Sequence, residues 1–166
     1  MSRAFVKEGT GELEPLPDLP ISSHPNYVTP RGLAALKARL LARQQDLAAL
    51  KARAERLDRL PEAAAERDIR YLEARLRSAI LVEAAARHSS EVQFGCRVVV
   101  DLAGEEQVFE IVGEDEADAT LGRIAPHAPL ARALIGAEVG DVVTWRRPSG
   151  TVEIEVLAIA PLDPPA

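Results

Sequence analysis

Between residues 29 and 88 the chain repeats an apolar residue every three or four positions, the period of a helix with one buried stripe. Leu33, Leu36, Leu40, Leu47, Leu50 and Leu57 lie on that stripe, Ala54 fills one seam position, and Arg43 interrupts it once. Thr29 and Pro30 suit the helix start, because a threonine oxygen accepts from an orphan first-turn N–H and proline at the first position forfeits no bond. Inside a helix Pro61 would remove a backbone bond and clash with the preceding turn, so the chain is expected to reverse within 57–62. A second helix, from about Glu62, carries Ile69, Leu72, Leu76 and Ala79 or Ile80 at matching spacing. The pattern predicts an antiparallel helical hairpin, a two-helix coiled coil, over residues 29–88. Such a hairpin buries one face of each helix and needs a second body to lean on.

After the polar break at 88–90 the pattern shifts to β-type runs at 96–102, 107–112, 142–146 and 151–159, punctuated by turn residues at 101–105 and 147–150. Between them residues 128–135 are apolar at helical spacing, with Pro129 in a first-turn position and Gly136 just past the end. Antiparallel strands packed on one short helix make residues 91–166 an α+β domain, so the whole chain is α+β. Residues 1–28 hold Pro15, Pro17, Pro20 and Pro25 with Gly9 and Gly11 and no apolar period. They read as an extended Pro-rich arm that either packs along the hairpin or stays disordered until bound.

Composition adds compartment and charge. An apolar fraction of 47% over 166 residues suffices for packed cores. One cysteine, Cys96, forms no intramolecular disulfide, and no apolar run reaches membrane-spanning length. A reducing, cytoplasmic setting without membrane attachment is the expectation. The net charge of −6 conceals an asymmetry: residues 29–88 hold 13 Lys/Arg against 8 Asp/Glu, whereas residues 89–166 hold 5 against 14. A general nucleic-acid binder would carry its positive patch on the globular domain, the reverse of this arrangement. The alternative is that arginine is simply the usual solvated residue on an Ala/Leu-rich helix.

Candidate chemistry is sparse. Glu114, Asp115, Glu116 and Asp118 put four carboxylates in five residues, without the alternating spacing and terminal glutamate of an EF-hand; a solvated loop is expected. His24, His88 and His127 show no metal-ligand spacing, and Cys96 at a strand start reads as a small buried apolar group. No Gly-rich phosphate loop or nucleophile elbow is present.

Three pieces of the second half carry a resemblance: Phe94-Gly95, Ile-Val-Gly-Glu-Asp-Glu-Ala-Asp at 111–118, and Pro-Leu-Ala-Arg-Ala-Leu-Ile-Gly at 129–136 followed by Glu-Val-Gly-Asp at 138–141. With Thr-Pro-Arg-Gly at 29–32 and Leu-Glu-Ala-Arg-Leu at 72–76, they resemble the Gre family of bacterial transcript-cleavage and elongation factors over roughly residues 27–160. The resemblance implies an FKBP-like C-terminal domain that docks on the rim of the RNA polymerase secondary channel through the region of Pro129, Leu130, Arg132 and Ala133. Ala128 stands where the family usually has serine, so a capping or contact hydroxyl is missing.

In that family the hairpin tip carries an acidic motif, Asp-x-x-Glu-Asn-Ala-Glu-Tyr, that helps hold a second Mg²⁺ and a water in the polymerase's own active centre. This sequence lacks the motif; Asp58 and Glu62 are the remaining tip candidates, with Arg56 and Arg59 close enough in sequence to pair with them. Thr29 and Leu72 are 43 steps apart, about two heptads fewer than the family pattern, which shortens the rod by about 10 Å. The implied function is an RNA polymerase-binding elongation or regulatory factor that stimulates cleavage weakly or not at all. It would not be an enzyme itself and would hold no cofactor of its own, the Mg²⁺ belonging to the polymerase. Nucleic acid would be reached only indirectly or through the basic hairpin. Two alternatives remain at this stage: a short-rod regulator of a different partner, and a peptidyl-prolyl isomerase. The second needs an aromatic-lined cleft, and residues 91–166 offer only Phe94, Phe109 and Trp145, the first two expected in the core and the third as an exposed contact beside Arg146 and Arg147.

Overall fold

Helix α1 spans Pro30–Lys51 and helix α2 spans Leu60–Ser78 in the computed structural model, which describes residues 14–83 and 90–162. Thr29 Oγ1 accepts from the Gly32 N–H at 2.9 Å and Pro30 occupies the first turn, so α1 begins where the sequence places it. Leu36 and Leu72 are buried at the centre of the seam, with Leu33, Leu40, Leu76 and Ala79 packed around them. Toward the tip ion pairs take over from leucine: Arg43 reaches Asp68 at 2.6 Å and Lys51 reaches Glu66 at 3.0 Å. These pairings climb α1 while descending α2, which makes the hairpin antiparallel. The arginine that interrupts the stripe is therefore itself a seam contact.

The reversal differs from expectation. Helix α1 stops at Lys51, and Leu57, assigned to the stripe by its spacing, lies in the turn and is 93% exposed. Arg53 explains the early stop, because its side chain folds back to donate to the carbonyls of Leu50 at 3.0 Å and Asp58 at 3.1 Å. Helix α2 then starts at Leu60, with Pro61 in the first turn where its missing N–H is harmless.

Two short strands, β1 (Tyr27–Val28) and β2 (Ile80–Leu81), pair in parallel at the hairpin base. Ala79 joins the seam, and Ile80 moves to the strand and is half exposed. Along the arm, Arg70 of α2 holds Asp18 at 2.6 Å and the Leu16 carbonyl at 2.8 Å. The arm thus touches the hairpin at Leu16 and Asp18.

The second body is a five-stranded sheet in the order β5-β4-β3-β7-β6, formed by β3 (Cys96–Leu102), β4 (Glu105–Ile111), β5 (Arg123–Ile124), β6 (Val142–Arg147) and β7 (Gly150–Pro161). Three of its four pairings are antiparallel, but β5 runs parallel to β4, so the sheet is mixed rather than purely antiparallel. Helix α3 (Pro129–Leu134) lays Leu130 and Leu134 onto Val98, Val100, Ile154 and Val156, which alternate inward from β3 and β7. The β3–β4 hairpin turns through Ala103 and Gly104, both at positive φ (56° and 86°), the two-residue geometry whose twist matches flanking strands. Trp145 corrects another expectation: it packs against this core, and the Arg147 guanidinium lies 5.0 Å from its ring centroid. Phe94 and Phe109 also pack on the core, as expected.

Candidate functional site

The acidic run at 114–118 is the root of the hairpin, not a solvated loop. Asp115 accepts from Arg75 Nε at 2.6 Å and from the Tyr71 hydroxyl at 2.6 Å, both on α2. Glu116 accepts from Thr29 Oγ1 at 2.6 Å and Arg31 Nε at 2.5 Å at the start of α1, while Arg31 Nη2 also reaches Glu110 of β4 at 2.6 Å. Glu114 accepts from Ser22 Oγ of the arm at 2.8 Å and faces Arg75 at 3.5 Å. Arg75 is only 1% exposed and donates in addition to Asn26 Oδ1 at 2.6 Å. Asp118 alone keeps a local role, its Oδ1 accepting from the Thr120 N–H and hydroxyl. The solvated reading failed because the compensating cations lie far away in sequence, on the helices.

Protonation follows these contacts. Burial works to raise the Glu110 carboxyl, but the hydrogen bonds and charges of Arg31 and Arg123 outweigh it and hold the group below its ordinary value. Burial, reinforced by the bond to Asp115, pushes the Tyr71 hydroxyl up to about 12.

The packing at this root is close enough to dictate glycines. A Cβ on Gly113 would stand 2.5 Å from the Tyr27 carbonyl oxygen, and one on Gly32 would stand 2.6 Å from Glu116 Oε2. The Thr-Pro-Arg-Gly segment is thus a cap, a helix start, a cation and a gap, all addressed to Glu116.

At the other end of the rod the two acidic candidates have separate structural duties. Glu62 is turned inward, its carboxylate 5% exposed, with Arg56 Nη2 at 2.5 Å and Arg53 and Arg59 each at 3.8 Å. The hydrogen bonds from Arg56, helped by the charges of Arg59 and Arg53, hold its carboxyl below the ordinary range. Asp58 Oδ1 accepts from the Leu60 N–H at 3.0 Å, just before the first turn of α2. Outward the tip presents Leu57 and Leu60, 93% and 55% exposed, together with the exposed side chains of Glu55 and Asp58 among guanidiniums. From Arg31 to Lys51 the rise of α1 carries this tip about 30 Å from the root.

The four residues singled out on the sheet domain lie on α3. Leu130 is buried in the core and Ala133 partly buried, whereas Pro129 and Arg132 are exposed. Ala128 provides no side-chain cap, as its lack of a hydroxyl requires. The Arg132 guanidinium makes no hydrogen bond or ion pair with any described residue. It borders a cleft of about 440 Å³ between α3 and the arm, lined also by His24, Tyr27, Pro126 and His127. No local pattern brings His24 to His127, yet their rings stack at 4.3 Å and 7°, and His127 Nδ1 sits 3.3 Å from Glu114. His88 lies outside the described residues. Cys96 is buried, and burial pushes its thiol up, away from nucleophilic use.

A curled sheet domain thus roots a two-helix rod through one carboxylate loop, with a separate exposed face beside a short helix. Residues 87–161 match the family model described as "Transcription elongation factor, GreA/GreB, C-term". The transcription elongation factor GreA of Pseudomonas aeruginosa is 39% identical over 123 residues, 72% of this chain and 78% of that protein. GreA of Pseudomonas putida is 42% identical over 97 residues, 57% of this chain and 61% of that protein. The chain belongs to the GreA/GreB family. It spans 61% of the length of the first two curated relatives it matches. Among solved structures, the GreA factor homolog 1 (Gfh1) protein of Thermus thermophilus aligns over 82% of this chain and 99% of its own at 25% identity, with a TM-score of 0.38. The family assignment rests on the sequence match to the P. aeruginosa protein, not on that superposition. No helix among the described residues is long and apolar enough to cross a membrane.

Proposed function

We propose that this chain is an RNA polymerase-binding regulator of the Gre type that docks at the secondary channel through the α3 face and does not deliver carboxylates to the active centre. The observation that carries this reading is the guanidinium cage around Glu62. Anchoring a catalytic Mg²⁺ beside the polymerase's own metal requires carboxylates that are free, adjacent and fixed to tenths of an ångström. Here Glu62 is enclosed by arginines and Asp58 has one oxygen engaged by the Leu60 N–H, so the two candidates do not form an adjacent free pair. Any Mg²⁺ and any bond cleavage would belong to the polymerase, and this factor would be an accessory, not an enzyme. Nucleic acid would be met only through the polymerase or along the basic hairpin, in the cytoplasm.

Docking without cleavage makes the chain a competitor. Added to backtracked complexes undergoing GreA-stimulated cleavage, it is expected to slow that cleavage as its concentration rises, with Arg132→Glu competing more weakly. Cleavage by GreA that is unaffected at saturating chain would overturn the reading.

A further inference from the structure

The cleft between the arm and α3 has a chemistry of its own. Its walls come from segments far apart in the chain: His24, Pro25 and Tyr27 on the arm side, Pro126 and His127 on the other, with Arg132 on α3. At about 440 Å³ it lies in the size range of ligand sites, and apolar walls with a few converging polar groups are their usual lining. Glu114 lies in the wall but is already engaged by Ser22, Arg75 and His127, at 2.8, 3.5 and 3.3 Å. Arg132 has no such partner among the described residues. The cleft therefore offers one uncompensated cation to an incoming group. Among the described residues no set of three His, Cys, Asp or Glu is placed to hold a metal ion.

We propose that this cleft receives an acidic side chain, Asp or Glu, from an acidic segment of the protein that docks on α3, with Arg132 as its ionic partner. The proposal rests on the docking reading above and adds the arm to the docking surface. Guanidinium groups pair carboxylates through two parallel N–H donors, a geometry that an exposed arginine without an internal partner is free to adopt. A singly charged carboxylate matches the one free cation in the wall charge for charge. The methylene stem of the incoming residue would lie against Pro25, Pro126 and the stacked imidazoles. The arm wall is preformed, because Ser22 is held by Glu114 and Asn26 donates to the Arg75 carbonyl at 2.8 Å, so docking does not have to order it.

The full chain, labelled with ¹⁵N at histidine, is to be titrated with a blocked tri-glutamate peptide, with blocked tri-glutamine and inorganic phosphate as controls. Saturable shifts of the His24 and His127 resonances with tri-glutamate alone are expected. Arg132→Gln should weaken that binding about tenfold or more, and His24→Ala severalfold. Affinity for core RNA polymerase should fall in the same order. No saturable shift, equal shifts with phosphate or tri-glutamine, or an unchanged titration in Arg132→Gln would overturn the proposal. Should polymerase bind the wild type and His24→Ala equally while the peptide does nothing, the cleft is excluded and docking stands. Should the peptide bind as described while polymerase ignores the chain, the docking reading fails and the cleft remains a receptor for acidic segments.

Discussion

Arg75 on α2 donates from Nε to Asp115 Oδ2 at 2.6 Å, joining the rod to the sheet domain through an arginine that is only 1% exposed. Breaking a buried ion pair typically costs about 3–5 kcal/mol, and without Asp115 the buried Arg75 would keep only the more distant carboxylate of Glu114 at 3.5 Å, whereas an apolar pair of similar volume is often tolerated. Asp115→Ala should therefore lower stability by about that amount in urea denaturation. The double variant Arg75→Met with Asp115→Leu should recover a large part of the loss. Equal destabilisation by both would show that the charge pairing is not what holds the joint.

Gly113 and Gly32 test how rigid that joint is. At Gly113 an added methyl would meet the Tyr27 backbone carbonyl, which is fixed by the β1–β2 pairing; at Gly32 it would meet the end of the Glu116 side chain. Gly113→Ala should cost about 1–3 kcal/mol, and Gly32→Ala less, because a carboxylate can swing where backbone cannot. Urea midpoints of the two variants check the order.

Tyr71 supplies a spectroscopic handle. Its hydroxyl is expected to ionise near 12, about two units above a free tyrosine, because burial and the bond to Asp115 favour the neutral form. This contribution to stability is complete below the unfolded value and disappears as pH rises through the folded one. In Tyr27→Phe, which leaves Tyr71 as the sole tyrosine, ultraviolet titration should show a single late transition. Ionisation at the free-tyrosine value would mean that the root is open to water.

Acid should loosen the hairpin at its tip and along its seam. The Glu62 carboxyl is lowered by Arg56, and Asp68 is lowered because Arg43 and Arg67 outweigh its burial. Groups held low stabilise the fold above the ordinary carboxylate range and lose that contribution as pH falls through their folded values. Stability should thus be level above about pH 5 and decline below it. Hydrogen exchange at residues 52–63 should accelerate first, and Glu62→Gln should show that acceleration already at neutral pH. Exchange in this segment that ignores both acid and the substitution would remove the cage from the account.

Much of the architecture was readable from local pattern: Thr29 and Pro30 mark the start of α1, and β3 occupies 96–102 as its alternation requires. Local pattern failed where distant residues decide. Leu57 has seam spacing, yet Arg53 closes the turn before the helix can reach it. The acids at 114–116 read as solvated because Arg31, Tyr71 and Arg75 lie far from them in sequence. The parallel β5 and the His24–His127 stack are likewise products of tertiary approach. The Arg56–Glu62 contact was legible because its partners are six residues apart, but its inward burial was not.

The central claim is that the rod's tip offers no stimulating set of carboxylates, because Glu62, one of its two candidate acids, is enclosed by arginines. The rate of transcript cleavage by purified core RNA polymerase in backtracked complexes, with and without saturating chain, tests it most directly. The rate should be unchanged while the chain remains bound to the polymerase. Strong stimulation that disappears in Asp58→Ala or Glu62→Ala would contradict the account.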